Sequence, residues 1–452
     1  MRDDRDELLE LARDVVRRAK AHVDVAEVSV GSSWELSAKV RLGQPELVEE
    51  AGQRGVSLRV LRGGRLAMTS TSDTSPAGIE LLVRDAVELV ELAEPDPFAG
   101  PADPAELAAA PFADLDTFDP SVSDIDAAFA LESATRAEAA ALAYDPRITL
   151  SEGATYGRSV STRAMVLSSG FEGVTRGTYA SLSVVPVVVD SGDKRRRGYY
   201  WSARRHRADL EDGRFVGEEA ARRTLAKLGS RKVKTGEAAI VFDADSARSI
   251  LSTFAGTIVG SALWRKSSYL LDRLGTEVAS PLVTIIDDPG LPRAPGSRAF
   301  DGEGLRSRRN VVVQAGKLET FLLDCYSARK LGRVSTASAA RSGGSIGPST
   351  TNFFLEAGTG SREELIASTQ RGLLVTEMMG FGFNALTGDF SRGAGGFWIE
   401  DGRIVHPVSE VTIGSNLDTM LRGIDRVAND LELKSSTASP TFRVNSMTIS
   451  GE

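Results

Sequence analysis

Histidine and cysteine are the side chains that most readily hold a transition metal, carry protons near neutral pH or act as nucleophiles. This chain of 452 residues has three of the first and one of the second. His22, His206 and His406 lie far apart, and none falls in an HExxH, HExxxH or HxH spacing. No helix can therefore present two of these imidazoles from neighbouring turns to one zinc ion. His22 follows the last turn of an amphipathic segment, where a cation suits the helix dipole. His206 sits in the charged run Arg204-Arg205-His206-Arg207, and His406 precedes Pro407 on a strand-like stretch. All three read as surface or structural residues. Cys325 stands alone, which rules out an intrachain disulfide and a thiolate cluster. With no histidine near it in sequence to generate a thiolate, it reads as a buried spectator between a strand, 320–323, and a helix from Tyr326. No Gly-x-Ser-x-Gly elbow comes with a suitable base.

The carboxylates offer more. Asp287-Asp288 and Asp301-Gly302-Glu303 are separated by a Pro/Gly loop, 289–296, that could fold the two halves together. So placed, Asp287, Asp288, Asp301 and Glu303 could hold a hard cation or act as an acid/base pair. They could equally cap turns and pair with Arg298, Arg306 or Arg308, and that structural reading is preferred.

Composition narrows the partners. A net charge of -8 argues against nonspecific nucleic-acid binding, which needs a basic face. The one dense basic run, Lys194 to Arg197, follows Ser191-Gly192-Asp193 between two strand-like stretches and reads as a charged hairpin tip. No run of about 18 apolar residues could span a bilayer, the nearest being the short, β-branched Leu182 to Val189. The acidic start from Met1 to Glu7 is unlike a signal peptide. These features predict a cytoplasmic protein.

The elements that must position these residues follow from periodicity. Leu8, Leu11, Ala12, Val15 and Ala19 share one face of a helix over 6–21. From Ala26 the period becomes two, through Val28, Val30, Leu36, Ala38, Val40, Val56, Leu58, Val60, Leu66 and Met68, which predicts an antiparallel strand series. A helix over 75–92 buries Ile79, Leu82, Val83, Ala86 and Val90. Residues 1–92 thus read as an α+β module. Six prolines between Ala93 and Ser123 exclude regular structure there, while Phe98, Phe112, Leu115 and Phe118 would pin this connector to the surface. Ser123 is expected to cap an Ala-rich helix ending before Asp145-Pro146. A meander of strands over 147–205 and a helix over 217–228 complete residues 124–232, continuous with the first module. Residues 233–452 are Gly-rich and strand-dominated, with helices expected over 246–264, 326–331, 362–370 and 417–429. The fold class is α+β, an antiparallel N-terminal domain followed by a β-rich C-terminal one. Neither Ser342-Gly343-Gly344-Ser345 nor Gly393-Ala394-Gly395-Gly396 has the spacing or lysine of a phosphate loop.

From Gly256 onward several long blocks stand out: Ser261 to Asp272, Ile286 to Pro289, Phe300 to Gly304, Tyr326 to Gly332, Pro407 to Ile413 and Asn429 to Leu431. The most distinctive is Gly388 to Gly402, Gly-Asp-Phe-Ser-Arg-Gly-Ala-Gly-Gly-Phe-Trp-Ile-Glu-Asp-Gly. In these blocks the chain resembles the TldD/PmbA family, and specifically its TldE (PmbA) branch. The resemblance implies a heterodimer with a TldD-like catalytic subunit, enclosing a cavity where unfolded or modified peptides are cut. In the TldD branch a helix carries HExxxH, with two histidines directed to one side, and a cysteine before the last strand completes a zinc site. Matching Leu251 to Ala262 to that helix puts Ser252 and Thr253 where the first histidine and the glutamate belong. Thr257 takes the place of the second histidine and Gly256 matches the glycine before it. The loop Glu432 to Ser439 has no cysteine. Hydroxyls are poor zinc ligands, so the resemblance implies no metal or cofactor in this chain and zinc in the TldD-like partner.

Such a subunit would line the shared cavity. Gly380, Gly382, Gly388, Gly393, Gly395 and Gly396 permit close backbone approach. Phe381, Phe383, Phe390, Phe397 and Trp398 supply apolar contact. These glycines could instead be hairpin turns and these aromatics core. Two other functional classes stay open: a stand-alone metal-dependent hydrolase using the acidic cluster, and a non-catalytic homodimeric peptide-binding protein.

Overall fold

Alternation of apolar and polar residues from Val25 to Thr71 builds three antiparallel strands. The computed structural model describes residues 3–342 and 345–452; the glycine pair 343–344 and the first two residues of the acidic start lie outside the described residues. Helix α1 (Arg5–Lys20) precedes β1 (Val25–Arg41), β2 (Gln44–Arg62) and β3 (Arg65–Thr71). Leu42-Gly43 and Gly63-Gly64 make the two hairpin turns with positive φ at both residues, 50° and 74°, then 55° and 76°. That geometry matches the strand twist. Helix α2 (Pro76–Leu92) is capped by the Ser75 side chain, which accepts from the Gly78 N–H. It lays Ile79, Leu82, Val83, Ala86 and Val90 on the same core as Leu8, Ala12, Val15 and Ala19 of α1. In β3 the buried residue is Ala67, not the expected Leu66 and Met68. The Gly63-Gly64 turn sets Ala67 opposite the buried Val60, and directly opposed residues share a face.

The proline-rich connector is pinned as expected. Phe112 packs 4.9 Å from Phe300 and 5.9 Å from Phe171, Phe118 lies 3.7 Å beneath Arg176, and Lys330 stands 4.5 Å over Phe98. After the short turn α3 (Pro120–Ser123) comes α4 (Ala127–Ala143). Its cap is Asp126, which accepts from the Phe129 N–H at 2.8 Å; Ser123 belongs to the preceding turn and caps nothing. Strands β4 (Leu150–Leu167), β5 (Phe171–Val189), β6 (Arg195–Arg197) and β7 (Tyr200–Arg204) join the first sheet through a β1–β4 pairing. Seven strands result, in order β3-β2-β1-β4-β5-β6, with β7 also on β5. The basic run rounds the turn into β6, and Glu410, Asp190 and Glu152 pair with Lys194, Arg196 and Arg197. Helix α5 (Gly213–Leu225) starts four residues before its expected position because Asp212 caps it, accepting from the Arg214 N–H.

The second half contains β8 (Gly236–Phe242), α6 (Ala244–Ile258), α7 (Gly260–Trp264), β9 (Ile285–Asp287), β10 (Asn310–Gln314), β11 (Lys317–Leu318) and α8 (Cys325–Leu331). It continues through β12 (Ala339–Ser342), β13 (Ser345–Pro348), β14 (Phe353–Leu355), α9 (Arg362–Ala367), β15 (Arg371–Met379), β16 (Asp389–Glu400) and β17 (Arg403–Asn416). It ends with α10 (Leu417–Arg422), β18 (Ile424–Val427), β19 (Thr437–Ala438) and β20 (Phe442–Ser450). The sheet β17-β16-β15-β8-β20-β18 closes on itself where β17 also pairs with β20, which removes exposed edges from those strands. A five-stranded sheet, β11-β10-β9-β14-β19, packs beside it. The helix expected over 246–264 is broken by extended backbone at Val259. The one expected over 417–429 stops at Gly423, because Ile424 pairs with Val444 of β20 instead. The molecule is therefore α+β, about 26% helix and 40% strand. No helix among the described residues is long and apolar enough to cross a membrane.

Candidate functional site

Helix α6 begins at Asp243, whose carboxylate accepts from the Ser246 N–H at 2.9 Å. Ala247, Ile250, Leu251, Phe254, Ala255 and Ile258 turn into the core, which leaves Ser252, Thr253 and Gly256 outward. Ser252 is exposed, Thr253 half-buried and Thr257 fully buried. The Thr253 hydroxyl donates to the Ser249 carbonyl at 3.0 Å and the Thr257 hydroxyl to the Phe254 carbonyl at 2.6 Å. Positions 252 and 257 are five residues apart, about 140° around a helix. Ser252 reaches solvent while Thr257 is packed inward.

Above these residues lies a cavity of about 350 Å³, lined by Ser252, Thr253, Gly256, Thr257, Phe381, Phe383, Ala385 and Arg392. Two sets of residues singled out separately in the sequence thus meet. At Gly256 a Cβ would touch nothing within 4 Å, so the glycine opens the floor. Phe381 is 95% exposed and sits between Gly380, at φ 78°, and Gly382, whose carbonyl accepts from the Ser391 N–H at 2.8 Å. A Cβ on Gly382 would stand 1.9 Å from the Ser391 oxygen, so glycine is required. Gly393, Gly395 and Gly396 are elsewhere, inside β16 against β15. A Cβ on Gly396 would lie 1.8 Å from the Leu374 carbonyl oxygen, a packing requirement of the sheet. Phe390 and Trp398 are buried in the core.

Arg392 was not singled out in the sequence. It donates to the Ser249 hydroxyl and to the Gly380 carbonyl, each at 2.8 Å, and lies 5.8 Å from the Phe381 ring centre. Burial holds its pKa below the usual arginine value. It therefore ties strand, loop and helix together around the cavity. A signal was available: Arg392 falls in strand alternation between Phe390 and Ala394, both buried, where a charge needs a specific partner.

The four carboxylates do not converge. Asp287 accepts from the Thr351 N–H at 2.6 Å, and burial raises it to about 6. Asp288 accepts from the Gly290 N–H at 2.8 Å. Asp301 accepts from the backbone N–H groups of Glu303, Leu305 and Ala339 at 2.9, 2.9 and 3.1 Å. Glu303 accepts from the Cys325 N–H at 2.8 Å, and burial together with the Asp301 charge raises it to about 7. Cys325 is buried, its thiol pushed far up by desolvation and by Glu303. Asp288 and Asp301 accept within their own turns, while Asp287 and Glu303 accept from distant segments. Among the described residues no group of three or more His, Cys, Asp or Glu side chains is placed to hold a metal.

The loop from Glu432 to Ser439 lines a different cleft, of about 600 Å³, with Tyr199, Trp201, Asp243, Asp245 and Arg248. Its β19 packs against α6, and Lys434 donates to the Tyr200 hydroxyl at 2.7 Å.

Three family descriptions match almost the whole chain: PmbA/TldA metallopeptidase domain 1 at residues 26–90, the central domain at 120–228 and the C-terminal domain at 235–451. The chain belongs to the PmbA/TldD family. It is 37% identical over 446 residues to the metalloprotease PmbA of Escherichia coli O157:H7, covering 98% of this chain and 96% of that one. A crystal structure from Bacteroides thetaiotaomicron, described as a modulator of DNA gyrase, superposes with a TM-score of 0.93 at 30% identity, covering all of both chains. TldE from Thermococcus kodakarensis shares the fold, with a TM-score of 0.88 at 21% identity over 98% of this chain and all of that one. The metallopeptidase name of the PmbA/TldD family implies a metal. The donors on this chain's α6 do not suit one: they are neutral hydroxyls, two of them already donating to backbone carbonyls, and the loop 432–439 offers no thiolate.

Proposed function

We propose that this chain is the zinc-less, TldE-type subunit of a two-subunit peptidase acting on unfolded or modified peptides. It forms part of the substrate cavity and supports a TldD-like catalytic subunit that carries the zinc. The observation behind this reading is the meeting of the hydroxyl-bearing stretch of α6 with Phe381 and Phe383 in one open cavity. A peptide needs to be held extended and shielded while a metal-bound water attacks it. Exposed aromatic rings beside accessible backbone give affinity that tolerates many sequences. Phe381, at 95% exposure, buries nothing within this subunit and is free to meet a substrate. The carboxylates, committed to backbone N–H groups, leave little for a separate metal-dependent hydrolase.

The test is reconstitution with the TldD-like partner. Phe381→Ala combined with Phe383→Ala should raise KM for an unfolded peptide several-fold, on the scale of lost apolar anchors. Unchanged cleavage would reject the cavity role. Failure to co-purify with any paralogue bearing HExxxH would favour a homodimeric peptide-binding protein.

A further inference from the structure

A separate cavity of about 480 Å³ lies beneath the proline-rich connector, where Arg5, Arg176, Arg205 and Arg298 meet Phe118 and Phe300. Four guanidinium groups face two carboxylates there, and both carboxylates are engaged. Asp116 pairs with Arg293 at 2.6 Å and with His206 at 3.2 Å, while Asp114 accepts from the Asp116 N–H. Two of the arginines are also committed, Arg5 to Asp3 and Arg205 to the carbonyls of Ala294 and Pro295. The other two are committed only in part, Arg176 through an ion pair 3.8 Å from Asp3 and Arg298 through one nitrogen. Nε of Arg176, and Nε and Nη2 of Arg298, are buried with no hydrogen-bond partner among the described residues. Asp287 and Asp301 lie near Arg298 but accept from backbone N–H groups, and Arg298 spends only Nη1, on the Ala339 carbonyl at 2.8 Å.

Buried guanidinium donors are rarely left without an acceptor, because the desolvation they suffer is then uncompensated. Burial holds both Arg205 and Arg298 below the usual arginine pKa, and an anion would relieve that. The planar fork of arginine matches a carboxylate or phosphate edge. The guanidinium of Arg176 is stacked on the Phe118 ring, and the volume lies within the range of small-molecule sites.

We propose that this cavity binds a small organic oxyanion, a phosphomonoester or carboxylate on an aromatic or apolar body. The anion lies between Arg176 and Arg298 and the body lies against Phe118 and Phe300. The site is independent of the subunit role proposed above.

Titration calorimetry of the full chain with phenyl phosphate, phenylacetate and inorganic phosphate, at constant ionic strength, tests this. One-to-one saturable binding is expected for at least one aromatic probe, and the better of the two identifies the anion. Arg176→Met should weaken it about tenfold or more, as expected for a lost charge-assisted contact. Phe118→Ala should weaken the aromatic probes and leave inorganic phosphate unaffected. Arg298→Met is informative only if it folds, whereas Arg176, on a half-buried strand position, is the variant that decides. No saturable binding by any probe, undiminished binding in Arg176→Met, or equal affinity for inorganic phosphate and phenyl phosphate would each overturn the proposal.

Discussion

Thr257 illustrates what the missing zinc motif means at the scale of one residue. Its side chain is fully buried, and its carbonyl accepts from the Ser268 hydroxyl at 2.7 Å. An imidazole there would displace the buried hydroxyl that donates to the Phe254 carbonyl. Placing histidine, glutamate and histidine at 252, 253 and 257 should still fail to create a tight zinc site, because the loop 432–439 supplies no cysteine as a third ligand. Thr257→His alone should destabilise by about 1–3 kcal/mol, as overpacked cores do. Zinc titration and thermal unfolding check both, and stoichiometric zinc in the triple variant would contradict the expectation. Glu303 supplies a second residue-scale prediction. Its folded-state pKa, about 7, lies above the ordinary value of 4.5, so between those pH values the folded chain binds the extra proton. Stability is then full below about 4.5 and falls as pH rises through 7, at roughly 1.4 kcal/mol per unit of separation. Asp287, raised to about 6, adds to the same slope. Glu303→Gln, which can still accept from Cys325, should flatten stability against pH and be more stable than the parent at pH 8; identical slopes would refute this. The sequence could not decide the role of these carboxylates. The N–H groups that satisfy them come from Cys325, Ala339 and Thr351, which only the tertiary fold delivers.

Elements were legible where local chemistry decides them. The periodicity of α1 and α2 acts within a few residues, and both helices lie where it puts them. Misreadings arose where a distant strand prevails. Ala67 turns inward because of Val60 across the hairpin, and the helix begun at Leu417 yields to pairing with β20. The Gly-rich segment 380–396 divides for a related reason: spacing alone cannot separate glycines beside a cavity from those pressed against a neighbouring strand. Gly396→Ala should destabilise by about 2 kcal/mol or more, since its Cβ would strike the Leu374 backbone. Gly393→Ala, with 3.4 Å to the Met379 Cβ, should change stability by less than about 1 kcal/mol. Denaturant unfolding of the two variants compares them directly. Equal losses would mean the two positions are not distinguished by packing.

Across the whole molecule the two halves are held by charge as well as by the connector. Glu27 of β1 binds Arg59 of β2 at 2.8 Å and Arg341 of β12 at 2.7 Å, all three 6% exposed or less in their side chains. Removing the carboxylate strands two buried guanidinium groups, which costs about 3–5 kcal/mol. Glu27→Ala should lower the unfolding temperature and split the calorimetric transition; a single unshifted transition would show the halves are coupled otherwise. No reading of the sequence could pair Glu27 with Arg341, because 313 residues intervene.

The proposed division of labour depends on this subunit having no metal of its own, since its α6 presents hydroxyls where hydrolysis needs imidazoles. Metal analysis of the purified chain, alone and together with its TldD-like partner, with peptide cleavage assayed on both samples, is the most direct measurement. The expected result is no stoichiometric metal and no cleavage from the chain alone, and one zinc with chelator-sensitive cleavage from the pair. A tightly bound, stoichiometric transition metal in the isolated chain, accompanied by hydrolysis, would contradict it.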